Sequence, residues 1–110
     1  MQFDSYYLVI LRRGAAWTPE ETPEVEELQK QHLAHLFHLI ETGKMLAAGP
    51  FEEQDDPTMR GLCLYRVASA KEARDLAEAD PAVKAGRLRV ELMTWYTPKG
   101  QLTFPGKVAK

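Results

Sequence analysis

Apolar residues recur along the chain at two spacings, and the change from one to the other predicts four strands and two helices. Tyr6 to Leu11, YYLVIL, is short, aromatic-rich and bounded by Arg12, Arg13 and Gly14, so it reads as a strand apolar on both faces. GAAWTPEETPE follows as a loop. Thr18-Pro19 and Thr22-Pro23 each offer a capping threonine, a proline at the first helical position and acid in the first turn, and one of them opens a helix. That helix carries Val25, Leu28, Leu33, Leu36, Leu39 and Ile40 at helical spacing and stops at Gly43. KMLAAGPF is a second strand, with Gly49-Pro50 ending its regular pairing or placing it at an edge. LCLYRV, Leu62 to Val67, is the third. Ser69 stands three residues before Glu72 as a capping box on a second helix, which Asp80-Pro81 interrupts before one further turn closed by Gly86. LRVELMTWY, to Tyr96, is the fourth strand.

The order β-α-β-β-α-β predicts an α+β, ferredoxin-like chain: a four-stranded antiparallel sheet with two helices on one face. We expect residues 1–96 to form this domain. The stretch 97–110 has no periodicity and reads as a tail or a partner-binding arm. Two helices cover one face of a sheet whose first and fourth strands are apolar on both sides, and each aliphatic or aromatic side chain left in water forfeits roughly 1.5–3 kcal/mol. A homodimer packed sheet to sheet removes that cost, with the tail folding across the bare face as the competing solution.

Composition narrows the partners. The chain has 110 residues, 45% of them hydrophobic and 27% charged, with a formal charge of −2, so no basic excess points to nucleic acid. Its single cysteine, Cys63, excludes an intrachain disulfide framework and suits a reducing compartment. No apolar run approaches the roughly 18 residues of a membrane span, and the start lacks a basic leader, so a cytoplasmic, unprocessed protein is expected. Glycines are scattered and no nucleotide-binding loop appears.

All three histidines fall within QHLAHLFHL, one every third position. At about 100° per residue, His32 lies roughly 45° from the mean apolar direction of its helix, His35 roughly 105° and His38 roughly 165°. They do not converge on one point, so no metal site is expected. His38 reads as a surface residue, His35 as a boundary one and His32 as inward-facing. For His32 two readings stay open, a buried imidazole bonded to backbone and a general acid/base oriented by a carboxylate. Asp80, between a helix and a proline turn, is an N-cap by position, and its two oxygens leave room for a second role.

HLAHL at His32 to Leu36, Gly43 followed by LAAGP at Leu46 to Pro50, and AEADPAVKAG at Ala77 to Gly86 together resemble the YCII-related (YciI-like) family, over roughly Tyr6 to Tyr96. The resemblance implies a dimeric α/β barrel and an active site in which His32 pairs with Asp80, with Gly49 and Pro50 lining a substrate pocket. Members often carry an arginine three residues before the histidine; here that residue is Gln29. The RRGAAWTPEET connection and the tail exceed a minimal member, and Trp17 or Phe104 could cover the pocket.

The function expected is acid/base proton transfer by His32 and Asp80 on a small cyclic or carbonyl-bearing metabolite, an isomerase- or lyase-like reaction needing no cofactor. The alternative is a non-catalytic dimeric module that binds a small molecule or a protein. Fold analogy alone adds a cofactor-free oxygenase. Cys63, between Leu62 and Leu64, reads as packing rather than as a nucleophile.

Overall fold

The computed structural model describes residues 1–104. The last six residues of the expected tail, 105–110, lie outside the described residues. The elements are β1 (Phe3–Arg13), α1 (Pro23–Glu41), β2 (Met45–Pro50), β3 (Met59–Tyr65), α2 (Ala70–Glu78), α3 (Pro81–Lys84) and β4 (Leu88–Pro98). All pairings are antiparallel and the strand order is β2-β3-β1-β4, the ferredoxin-like arrangement.

Local chemistry explains the boundaries. Of the two candidate caps, Thr22 opens α1, its Oγ1 accepting from the Val25 N–H at 3.1 Å. The helix ends where Gly43 takes φ 80°, a left-handed turn that a side chain would disfavour. Ser69 Oγ accepts from the Glu72 N–H at 3.1 Å, while the Glu72 carboxylate reaches past the cap to the Ala68 N–H. β2 is an edge strand, so Pro50 sits where no inward ladder bond is missed.

Val9, Leu11, Cys63 and Tyr65 on the sheet meet Leu36 and Leu39 of α1 and Ala73 and Ala77 of α2 in one core, so the helices share a face. The alternate residues of the same strands face the other side. There Tyr6, Ile10 and Leu64 are buried, Leu8 and Leu62 are half-buried, and Met93 and Trp95 stay 37% and 39% exposed. Phe104 lies against Tyr6, with ring centroids 6.1 Å apart.

Strand bounds and one side-chain placement need revision. β3 spans Met59–Tyr65 rather than Leu62 to Val67, because its ladder with β1 runs from Arg12↔Met59 to Tyr7↔Tyr65. β1 begins at Phe3 and takes in Arg12 and Arg13, and β4 continues to Pro98, because their long mutual ladder, from Phe3↔Pro98 to Arg13↔Leu88, is held by backbone bonds that polar residues join as readily as apolar ones. Phe104 does not reach the pocket; through Tyr6 it belongs to the opposite face of the sheet. No described helix is long and apolar enough to cross a membrane.

Candidate functional site

α1 and the turn between α2 and α3 bring together two groups 48 residues apart. His32 Nδ1 lies 2.5 Å from Asp80 Oδ2, with His32 8% and Asp80 2% exposed. The Asp80 backbone caps α3, and its Oδ1 accepts from the Ala82 N–H at 2.9 Å. Both carboxylate oxygens are thus occupied, one by the cap and one by the imidazole. A carboxylate only accepts, so the proton between His32 and Asp80 resides on Nδ1. Nε2 has no hydrogen-bond partner among the described residues and is not a sealed atom, because His32 lines a pocket.

The pocket has a volume of about 370 Å³ and lies between α1, the β2–β3 edge and the α3–β4 turn. Leu28, Leu33, Leu36, Phe37 and Ile40 supply an apolar wall from α1, with Phe37 61% exposed at the lip. Gly49 and Pro50 line it at the end of β2. Gln29 lines it as an exposed residue.

The other histidines part company with His32. The His35 Nε2–H donates to the Leu76 carbonyl at 2.8 Å, tying α1 to α2, and His38 is exposed. Among the described residues no three His, Cys, Asp or Glu side chains gather as a metal would need.

Cys63 is 2% exposed, and burial first, with the charge of Asp80 second, pushes its thiol up to about 12. A neutral, enclosed thiol is a poor nucleophile. In the native protein, labelling by a thiol reagent is expected to stay slow up to about pH 9 and become rapid only with denaturant. Fast native labelling at pH 8 would contradict that burial.

Three pocket residues were not legible as a group. Trp17 lines the pocket from the loop after β1, Arg60 lines it from β3 and Arg87 from the turn just before β4. Arg60 gets there by a β-bulge: pairing with β1 passes from Gly61↔Leu11 to Met59↔Arg12, leaving Arg60 as the extra residue. No local signal marks either arginine: Arg60 follows an acidic stretch holding Glu52, Glu53, Asp55 and Asp56, and Arg87 stands four residues before Glu91, so both read as ordinary ion-pairing surface residues.

The YCII-related domain matches residues 7–96. No curated protein matches the chain. Among solved structures, 5-chloro-2-hydroxyhydroquinone dehydrochlorinase (TftG) from Burkholderia phenoliruptrix AC1100, in complex with 2,5-dihydroxybenzoquinone, superposes with a TM-score of 0.55 at 26% identity, over 81% of this chain and 92% of that one. With a domain match spanning most of its length, the chain belongs to the YCII-related domain family.

Proposed function

We propose that this protein is a small enzyme that moves a proton on a ring-sized cyclic or carbonyl-bearing metabolite, in an isomerisation or elimination, with His32 as acid/base and Asp80 orienting it. The observation that carries this reading is the division of one imidazole between two surroundings: Nδ1 is held by a buried carboxylate and Nε2 opens on a pocket. The carboxylate keeps the Nε2 lone pair directed at substrate and stabilises the imidazolium formed when a proton is taken. The apolar wall from α1, with Gly49 and Pro50 opposite, would hold the carbon skeleton. The likeness to a dehydrochlorinase supports the class, since loss of HCl from a ring takes a proton to a base as chloride departs.

The test offers wild type and His32→Gln two kinds of substrate. One is 5-chloro-2-hydroxyhydroquinone, followed by chloride release. The other is cyclohexanone or a five-membered lactone in D₂O, followed by deuterium uptake at the α carbon. Wild type should accelerate at least one reaction, and His32→Gln should lose roughly 10²-fold or more of that acceleration. Equal rates in the two proteins would remove His32 from the chemistry, and saturable binding without turnover would favour the non-catalytic module.

The assembly we infer is a homodimer through the sheet faces. Met93 and Trp95 remain exposed there beside half-buried Leu8 and Leu62, and the family resemblance implies a dimeric α/β barrel. Sedimentation equilibrium should give twice the chain mass for wild type and the single-chain mass for Trp95→Asp. A wild-type monomer at the concentrations of the assay would overturn it.

A further inference from the structure

The ring of Trp17 is surrounded by three guanidinium groups, with the central carbon of Arg13 at 3.9 Å from its centroid, Arg87 at 5.5 Å and Arg60 at 5.7 Å. Among the described residues none of the three makes an ion pair, although Arg12, Lys44, Lys71 and Arg74 all do. The Arg13 Nε is buried with no hydrogen-bond partner, and Arg87 Nη1 spends one N–H on the Thr18 carbonyl at 3.1 Å. Arg60 makes no side-chain hydrogen bond among the described residues and projects from its bulge. Three like charges around one neutral ring repel each other. The negative face of the indole offsets part of that repulsion, and no carboxylate of the described residues lies within ion-pair distance of the three.

Trp17, Arg60 and Arg87 line the same pocket as His32, while Gln29, on the α1 side, brings no charge. The pocket therefore has one cationic end, one apolar wall and one imidazole. A planar guanidinium matches a planar oxyanion with two parallel N–H···O bonds, and an indole beside it offers a flat surface for a ring to stack on.

We propose that Arg60 and Arg87, with Trp17 as the stacking surface, form the anion-binding end of the pocket, so that the substrate is a flat, ring-sized acid whose carboxylate or enolate docks there while its reacting carbon lies at His32. Arg13 touches the ring but not the pocket and adds positive potential from behind. The role given to the reacting carbon rests on the proton-transfer reading; the anion subsite does not.

The test uses salicylate and its neutral counterpart salicylamide, following the Trp17 indole N–H by NMR in the full chain. Salicylate should shift that signal and bind at least about tenfold more tightly than salicylamide, and added salt should weaken it. Arg60→Gln and Arg87→Gln should each weaken salicylate about tenfold and leave salicylamide unchanged, with Arg60→Lys recovering part of the loss. Since Arg87 also holds the Thr18 carbonyl, the Arg60 variant decides. Equal binding of acid and amide, undiminished salicylate binding in Arg60→Gln, or no response to salicylate at about 10 mM would each overturn the proposal. His32→Gln should keep salicylate binding while losing proton transfer, so a failed reaction and a failed subsite give different results.

Discussion

Replacing Asp80 by asparagine is expected to leave the fold standing and reverse the imidazole of His32. Two donors converge on this side chain, the Ala82 N–H at one oxygen and the His32 ring at the other. An amide keeps only one of those acceptors. The Ala82 N–H cannot accept, so the amide oxygen goes to the cap and the NH₂ group faces Nδ1, which must then offer its lone pair. The ring proton moves to Nε2, and the atom facing the pocket ceases to be a base. Long-range ¹⁵N–¹H correlation spectra should show a Nδ1–H tautomer in wild type and a Nε2–H tautomer in Asp80→Asn. Proton transfer should fall on the order of 10³–10⁴-fold, as it does when the aspartate of a catalytic triad is so replaced. Stability should change by no more than about 1 kcal/mol, because the helix cap survives. An unchanged tautomer with undiminished turnover would remove Asp80 from the mechanism.

Gly14→Ala should be the most damaging methyl group the chain can receive near the site. A Cβ on Gly14 would stand 2.2 Å from the Gly86 carbonyl oxygen and 2.8 Å from its carbon, and neither belongs to a side chain that can turn away. The two segments also exchange the bonds Gly14 N–H to Arg87 O and Ala16 N–H to Gly86 O, both 2.8 Å. Relieving the clash means separating them, at a cost of about 2–3 kcal/mol, comparable to overpacking a core. The midpoint of thermal unfolding, followed by circular dichroism, should drop by about 10 °C. The same separation moves Trp17 away from Arg87, so the Trp17 indole signal should shift as well. A midpoint within about 2 °C of wild type would mean that this contact yields cheaply.

Much of this architecture could be read from the chain because local and global signals agree. The Thr22-Pro23 and Asp80-Pro81 pairs announce helix starts, Gly43 and Gly86 announce stops, and the periods between them alternate as the sheet order requires. The inward direction of His32 follows from helical geometry alone. Its meeting with Asp80 does not: those residues are 48 positions apart, and the Asp80 cap accounts for that residue without any partner, so only the family resemblance suggested the pair. The cationic end was illegible for another reason. Arg60 reaches the pocket through a register break and Arg87 through the crossing of the β1 loop with the turn just before β4, and neither leaves a trace in hydrophobic periodicity. The lengths of β1 and β4 were underestimated because Asp4, Ser5 and Thr97 join a ladder that does not ask for apolar side chains.

The extra residue in β3 makes the charge of this pocket depend on chain length at one strand end. In a strict two-residue repeat the position before Gly61 points away from the helices, as Leu62 does after it. Arg60 escapes that rule because the ladder skips it. Losing one residue ahead of Gly61 would restore the alternation and carry the guanidinium out of the cavity, with Val9, Leu11, Cys63 and Tyr65 untouched beneath. Preference for a charged or an uncharged ligand can therefore be switched by a change in chain length at one strand end, without altering any residue that holds the domain together.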